Sequence, residues 1–150
     1  MPINNAVTRW LASKIEARAR RIIARRPPDF IVGSAADPYL LRWWVLPRNS
    51  LFNVYVHIFN KSDQDRALHD HPFHSVSLAL SGPMGEVIRC HDGSETMRLV
   101  SAGDLVFRSA THAHRMVIGV PGRATLFITG PRVREWASTR QLVGLNGRNS

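Results

Sequence analysis

The sequence predicts an all-β domain, either a sandwich or a barrel, that follows one amphipathic helix. Short runs rich in aromatic and β-branched residues recur between residues 39 and 129, and turns that contain glycine or proline separate them. Ahead of these runs, apolar residues recur at spacings of three and four over residues 6–26. We therefore expect a basic amphipathic helix within residues 1–28, a β domain over residues 29–136 and a disordered tail over residues 137–150.

The N-terminal helix is expected to begin after Asn5, which suits an N-cap, and to end at Pro27 and Pro28. Its apolar stripe consists of Val7, Trp10, Leu11, Ile15, Ala19, Ile22 and Ile23. We favour a helix that docks this stripe on the β domain and leaves its arginines in solvent. The alternatives are contact with an anionic membrane surface or with a nucleic-acid backbone.

The net charge of the chain is concentrated in this helix. Residues 1–26 hold seven Lys or Arg and one Glu, a balance of +6, which leaves +3 of the total of +9 for the remaining residues. The high isoelectric point therefore describes the helix and not the β domain. The single cysteine, Cys90, excludes an internal disulfide, and the N-terminus lacks the apolar core of a secretory signal, so we expect a cytoplasmic protein.

The predicted strands are separated by recognisable turn residues. A Pro-Arg-Asn-Ser turn at residues 47–50 lies between two aromatic-rich runs and predicts a hairpin. The strands are predicted at residues 39–46, 51–59, 75–80, 86–90, 96–100, 104–107, 114–120 and 124–129. In the third of these, the small residues Ser75, Ser77 and Ala79 share one face, which would leave room for a ligand if that face points inward.

Three of the seven histidines indicate a metal site. His69 and His71 stand at positions i and i+2 of an extended segment, so both imidazoles point to the same face. The segment that begins at Gly103 and ends at His114 offers a third ligand. Neutral imidazole binds zinc, iron, nickel and copper, so we predict one site for a divalent metal ion. The roles of three further histidines stay open: His57, His74 and His112.

The first pair of histidines lies in a stretch that resembles the first motif of the cupin superfamily. That motif is His-x-His, followed by a carboxylate position and then by a glycine. His69, His71 and Gly82 match it, whereas Ser75 stands at the carboxylate position. This difference is compatible with similarity to the thiol dioxygenases, which are cupins with a three-histidine metal centre.

The second cupin motif, Gly-Asp followed by a strand, a turn and a histidine, is matched by Gly103, Asp104 and His114. Over roughly residues 39–130 the chain resembles a group of small bacterial and phage-associated cupins without an assigned activity. The resemblance implies a double-stranded β-helix, the RmlC-like jelly-roll barrel, and a homodimer. It also implies that His69, His71 and His114 bind one divalent metal ion, with Fe(II) favoured and Zn, Ni or Mn as alternatives.

Two arginines are candidates for binding the carboxylate of a small substrate. Arg42 interrupts an otherwise apolar predicted strand, so it either reaches solvent from an edge or faces the cavity. Arg66 precedes His69 by three residues and would lie at the mouth of the site unless it pairs with a neighbouring aspartate. Two cations that follow the last strand, Arg132 and Arg134, are expected to be exposed.

These expectations favour an enzyme that carries out an iron-dependent, dioxygenase-type oxidation of a small anionic molecule. Arg42 or Arg66 would orient the carboxylate of the substrate, because the planar guanidinium matches a carboxylate. One alternative is a non-catalytic module that binds a small molecule or a metal. The other is a structural or interaction protein of phage origin that uses its basic helix for docking. No general base occupies a secure position in the sequence, which argues against a sugar epimerase.

Overall fold

The computed structural model describes residues 2–62 and 68–135. The expected tail over residues 137–150 and the candidate Arg66 therefore lie outside the described residues. Helix α1 spans Ala6–Arg25. The strands are β1 Phe30–Gly33, β2 Pro38–Trp44, β3 Asn53–Phe59, β4 Ser75–Ala79, β5 Met84–Arg89, β6 Glu95–Val100, β7 Leu105–Arg108, β8 His114–Val117 and β9 Arg123–Thr129. No helix in the described ranges is long and apolar enough to cross a membrane.

The predicted ends of α1 are confirmed. The side-chain oxygen of Asn5 accepts hydrogen bonds of 3.0 Å from the backbone N–H groups of Val7 and Thr8. Thr8 Oγ1 in turn accepts a hydrogen bond of 2.9 Å from the backbone N–H of Asn5, which completes a capping box. The helix ends at Arg25, shortly before two prolines that cannot continue it.

The strands form two antiparallel sheets. The larger sheet has six strands in the order β1-β2-β3-β9-β4-β7, and the smaller sheet has three in the order β6-β5-β8. This arrangement confirms a mostly β fold with one N-terminal helix. The closed jelly-roll barrel is not confirmed, because neither sheet closes within the described residues: β1 and β7 are the edges of the larger sheet, and β6 and β8 of the smaller. The predicted hairpin around residues 47–50 is present as β2 and β3.

One face of the larger sheet packs against α1. Ala12 and Ala19 of the helix are each 2% exposed and share an apolar cluster with Trp43, Val56 and Leu78 of the sheet. Alanine side chains are small, so the helix approaches the sheet closely. Three helix isoleucines pack against the same cluster: Ile15, Ile22 and Ile23. The favoured prediction, a helix docked on the β domain, is therefore confirmed for the part of the stripe that holds Ile15, Ala19, Ile22 and Ile23.

The first turns of the helix differ from the prediction. Val7, Trp10 and Leu11 were assigned to the docked stripe, but they are 64%, 59% and 38% exposed. The face of α1 that contacts the sheet is centred on Ala12 and Ala19, and these three larger side chains lie outside that contact. Sequence periodicity identifies the apolar stripe of a helix, but it does not show which part of that stripe packs against another element.

The glycine of the second motif allows this helix to lie close to the sheet. Gly103 has a φ of +88°, a backbone conformation that glycine adopts without strain. A Cβ atom added at Gly103 would lie 2.9 Å from the Cα atom of Arg9, which is too close for any side chain. Gly103 thus serves the turn before β7 and the docking of α1 at once.

The other face of the larger sheet looks toward the smaller sheet, and its two ends differ. An apolar cluster fills one end: Leu40, Phe59, Ala79, Met84, Val100, Val106, Met116 and Ile118. Polar residues occupy the other end, where Ser75 and Ser77 are buried. Their inward direction matches the prediction, but the room expected beside Ser77 is filled, because Arg108 Nη1 donates a hydrogen bond of 2.8 Å to its hydroxyl.

Candidate metal centre

The three predicted histidine ligands come together in the structure. His69, His71 and His114 each offer one ring nitrogen, and these nitrogens lie within 4.8 Å of one another. The Nε2 atoms of His71 and His114 are 3.2 Å apart. Two nitrogens bound to one zinc ion at about 2.0–2.1 Å lie about 3 Å from each other, so this spacing fits a shared ion. The donor set therefore fits a divalent first-row metal.

Short backbone contacts, and not long strands, position these histidines. His69 and His114 form an isolated antiparallel bridge in which the N–H of each residue donates a 3.0 Å hydrogen bond to the carbonyl of the other. His71 lies two residues further on and is followed by Pro72, which is buried. The carbonyl of Pro72 accepts a 2.9 Å hydrogen bond from the backbone N–H of Val133. The segment after β9 thus supports the segment that carries two of the ligands.

Burial keeps two of the imidazoles neutral. The pKa of His71 is lowered to about 2, chiefly because burial disfavours the charged ring, and also because His114 and His69 lie nearby. Burial likewise lowers the pKa of His114 to about 4, although the contact with Glu86 opposes that shift. Metal ions bind neutral imidazole, so both rings are in the ligand form near neutral pH.

A buried carboxylate lies behind His114. Glu86, on β5, is fully buried. Its Oε1 atom lies 2.8 Å from Nδ1 of His114 and accepts a hydrogen bond of 2.6 Å from Nε of Arg108. Its Oε2 atom accepts a hydrogen bond of 2.9 Å from Nε of Arg98. Both carboxylate oxygens are therefore engaged by neighbouring side chains.

The charge of Glu86 is maintained by these neighbours. Burial alone would raise the pKa of its carboxyl, but the 2.8 Å contact with His114 and the charge of Arg108 outweigh burial and hold the pKa well below its ordinary value. Two guanidinium groups, from Arg98 and Arg108, thus surround one carboxylate. Glu86, Arg98 and Arg108 together carry a net positive charge beside His114.

A group of stacked rings, which we call the aromatic wall, consists of Tyr55, His57 and Phe127. The ring centroids of His57 and Phe127 are 5.0 Å apart, and those of Tyr55 and His57 are 5.9 Å apart. Phe127 also lies 6.2 Å from the ring of His71. The aromatic wall therefore extends from the metal centre along the inner face of the larger sheet.

Arg42 contacts the far side of the aromatic wall. Its Nε atom donates a hydrogen bond of 2.8 Å to Nε2 of His57, and its guanidinium carbon lies 4.8 Å from the centroid of the Tyr55 ring. Burial lowers the pKa of Arg42, which reflects the partial loss of water around its charge. Because β2 lies between β1 and β3, Arg42 is not on an edge strand. The position of Arg66 stays a prediction, since that residue lies outside the described ranges.

The histidines whose roles were open have different surroundings. His57 is buried and accepts the hydrogen bond from Arg42. His74 is exposed, and its Nδ1 atom accepts a hydrogen bond of 3.3 Å from the backbone N–H of Ala110. His112 is half-buried, with Nε2 4.0 Å from the Oε1 atom of Glu86. None of them belongs to the three-histidine group.

Sequence reasoning missed the roles of four charged residues around this centre: Glu86, Arg98, Arg108 and Arg134. Glu86 and Met84 both point inward from β5. An acidic residue at an inward position of a mostly apolar strand could have indicated a buried functional group. Arg108 follows the buried Val106 by two residues and gave a similar signal. Arg134 was expected to be exposed, and that expectation is wrong, because its side chain is 30% exposed and forms an ion pair beside the centre.

Comparison with solved structures supports the fold. The DMSP lyase DddQ from Ruegeria pomeroyi DSS-3 aligns with a TM-score of 0.54 and 15% identity, over 74% of this chain and 57% of that one. A tryptophan variant of oxalate decarboxylase from Bacillus subtilis aligns with a TM-score of 0.51 and 15% identity, over 71% of this chain and 32% of that one. The alignments thus span about a third to just over half of those proteins.

Both of these proteins have the cupin fold, and the likeness supports a cupin-type fold for this chain. At 15% identity the likeness concerns the fold alone. No protein-family model matches the chain, and no curated protein sequence matches it. The chemistry of the site therefore depends on its own residues.

Proposed function

We propose that this protein binds one divalent first-row metal ion through His69, His71 and His114 and acts on a small anionic molecule. The observation that carries this proposal is the convergence of three imidazoles, two of which have Nε2 atoms 3.2 Å apart. Three nitrogen ligands leave coordination positions open for a substrate. Fe(II) is the favoured ion, and Zn, Ni and Mn are the alternatives.

The charges around the site support an anionic ligand. Arg98 and Arg108 place two positive charges on the single carboxylate of Glu86. Arg42 adds a further positive charge at the aromatic wall. A bound divalent ion would increase this excess, and a cavity with an excess of positive charge favours an anion.

Two polar groups are suited to contact such a ligand. Within the described residues no carboxylate pairs with Arg42, whose guanidinium is held in place by His57 and Tyr55. A planar guanidinium held in this way binds a carboxylate at little entropic cost. The hydroxyl of Ser75 is buried, and no described residue forms a hydrogen bond with it, so it is available to a ligand. Arg66 is the second candidate for the carboxylate.

We further propose that the reaction is a dioxygenase-type oxidation. An ion such as Fe(II) supplies the redox chemistry when it is bound at the three histidines. The protein's own residues hold that ion, orient the substrate carboxylate through Arg42 or Arg66, and exclude water with the aromatic wall. Oxalate decarboxylase, one of the similar structures, is by its name an enzyme whose substrate is a small anion. We also propose a cytoplasmic homodimer.

A non-catalytic module that binds a metal or a small molecule is the main alternative, and a phage-derived interaction protein is the second.

Metal analysis tests the proposed binding of one metal ion. The full chain should be purified without chelators or an affinity tag, and its metal content measured by mass spectrometry. We expect about one first-row metal ion per chain, because the three imidazoles form one site. Protein that holds no metal after purification and after incubation with Fe(II) or Zn would contradict the metal-binding proposal.

A further inference from the structure

The carboxylate of Glu86 approaches a metal-ligand histidine from the side opposite to the proposed ion. We propose that Glu86 is a positioning residue for the metal centre, which fixes His114 with its proton on Nδ1 and its Nε2 lone pair toward the ion. This inference rests on the proposed metal-binding function and deepens it. Glu86 would act through His114 without touching the metal.

The geometry assigns a separate task to each ring nitrogen of His114. Its Nδ1 atom lies 2.8 Å from Oε1 of Glu86, whereas its Nε2 atom lies 3.2 Å from Nε2 of His71. A neutral imidazole carries one proton, and an ionised carboxylate accepts that proton's hydrogen bond but cannot donate one. The proton is therefore favoured on Nδ1, and the lone pair of Nε2 faces the other ligands.

The carboxylate is itself held in one orientation. Arg108 Nε donates to its Oε1 atom at 2.6 Å, and Arg98 Nε donates to its Oε2 atom at 2.9 Å. Arg108 is buried and is fixed in turn by its hydrogen bond to Ser77. Side chains from β4, β6 and β7 thus hold the carboxylate of Glu86 where it can accept a hydrogen bond from Nδ1 of His114.

This arrangement has two consequences for a bound ion. The imidazole of His114 cannot rotate to offer Nδ1 without leaving a buried carboxylate facing a ring carbon, which is costly. A carboxylate within hydrogen-bonding distance of Nδ1 also makes Nε2 a more basic ligand. Both effects raise metal affinity, and neither requires Glu86 to be a ligand.

Metal competition measures the two effects together. The full chain and Glu86→Gln should be loaded with Co(II) and titrated with a chelator of known affinity. We expect the dissociation constant for Co(II) to rise about 10–100-fold in Glu86→Gln, the usual effect of removing an outer partner of a ligand histidine. Glu95→Gln is the matched control, because Glu95 lies on the neighbouring strand β6 and its partners among the described residues are exposed or half-exposed arginines. It should leave the dissociation constant unchanged.

A second variant separates positioning from folding. Glu86→Gln leaves two guanidinium groups without their anion, so it could lose metal merely because the protein unfolds. The double variant Glu86→Met/Arg108→Met replaces the buried pair by apolar side chains, a change that folded proteins often tolerate. If Glu86 positions His114, the folded double variant should also bind Co(II) about 10–100-fold more weakly.

Proton NMR of the Co(II)-loaded protein in water supplies a readout that a purely structural role would not move. The Nδ1 proton of a ligand imidazole gives a paramagnetically shifted resonance that exchanges with solvent. In the native chain, one such resonance should exchange slowly, because the side chain of His114 is 8% exposed and faces a fully buried carboxylate. In both variants this resonance should shift and exchange faster.

The outcomes are distinguishable. Weaker Co(II) binding together with a changed resonance in folded variants supports the positioning role. Folded variants that bind Co(II) within threefold of the native chain and retain the slow resonance would overturn it while leaving the metal site intact. A native chain that binds no Co(II) would overturn both the metal-binding proposal and this inference.

Discussion

Arg134 and Asp70 form a short ion pair beside the candidate metal centre, with Nη1 of Arg134 2.5 Å from Oδ2 of Asp70. The same nitrogen donates a hydrogen bond of 2.9 Å to the carbonyl oxygen of Ala110. Asp70 stands between two of the candidate histidine ligands, and Ala110 lies in the segment that leads to the third. One side chain from the segment after β9 therefore ties together the two parts of the chain that carry the ligands.

Replacing Arg134 by methionine should loosen this connection. We expect Arg134→Met to reduce the free energy of unfolding of the metal-free protein by about 1–2 kcal/mol, since charge-assisted hydrogen bonds that are partly buried contribute about that much. The dissociation constant for zinc should also rise, because the ligand segments are less well positioned. Chemical denaturation and chelator competition measure the two effects. Arg132→Met is the control: Arg132 is exposed and its ion pair is with the exposed Glu135. Equal effects of the two variants would argue against the connection.

Removing a histidine ligand should abolish metal binding. His71→Ala and His114→Ala each delete one of the three nitrogens, and two imidazoles do not form the proposed site. Metal bound to the native state stabilises it, by about 2.7 kcal/mol at a free metal concentration 100 times the dissociation constant. Added zinc should therefore raise the melting temperature of the native chain and leave that of both variants unchanged.

His91→Ala is the control for these variants, because His91 is exposed in the turn between β5 and β6. It should bind one ion and respond to zinc like the native chain. Full occupancy in both His71→Ala and His114→Ala would mean that the three-histidine assignment is wrong. Metal content by mass spectrometry and melting by differential scanning fluorimetry provide the two measurements.

The grouping of His69 with His71 could be predicted from sequence because their spacing is local, whereas His114 was expected from its place in the second motif. His69 and His71 are two residues apart, and extended chain directs both to one side. Glu86 could not be assigned in the same way, because its partners Arg98, Arg108 and His114 come from three other strands. Its position depends on the pairing of β5 with both β6 and β8, which is a long-range property of the smaller sheet.

In the helix, too, local features could be predicted from sequence, whereas features that depend on tertiary packing could not. Its N-cap, its ends and its docking on the sheet followed from residue types and periodicity. The exposure of Trp10 did not follow from them, since it depends on which part of the helix meets the sheet. The closed barrel was expected from resemblance, whereas the strand pairing leaves four edge strands within the described residues.

A charge placed on the docked face of α1 should destabilise the protein. Ala19 is 2% exposed and packs in the cluster with Trp43 and Val56. Ala19→Asp would bury an unpaired carboxylate there, so we expect the free energy of unfolding to fall by about 3 kcal/mol or more. Ala17→Asp is the matched control, because Ala17 is exposed on the same helix and should cost no more than about 1 kcal/mol. Similar losses in both variants would show that the helix does not depend on the sheet.

The last prediction separates an enzyme from a binding module. If the reaction is an oxidation, the Fe(II)-loaded chain should consume dioxygen when it is given a panel of small thiols and carboxylates. The Zn-loaded chain should consume none, because zinc has no accessible redox change. An oxygen electrode measures the uptake. Substrate-dependent uptake by both metal forms would contradict the oxidation that we propose.

Arg42 provides the test of how the substrate is held. Its guanidinium is fixed against His57 and Tyr55, so replacing it by methionine removes the proposed carboxylate contact but keeps an unbranched side chain at the position. A charge-assisted contact contributes about 1.5–3 kcal/mol, so KM should rise about 10–150-fold in Arg42→Met, with metal content unchanged. Arg48→Met is the control, because Arg48 is exposed and stacks on Trp44. Arg66→Met is the parallel variant for the second candidate.

The pattern of these results decides between the proposed functions. A raised KM in Arg42→Met or Arg66→Met, with Arg48→Met unaffected, would identify the arginine that binds the substrate carboxylate. An Fe(II)-loaded chain that takes up no dioxygen with any compound of the panel, but binds one of them in a calorimeter, would be a binding module. In that case Arg42→Met should weaken the measured affinity instead of KM, since the guanidinium would hold the same carboxylate without turnover. A chain that binds the metal but none of these compounds would leave the aromatic wall and Arg42 without a small-molecule role and would favour the interaction protein.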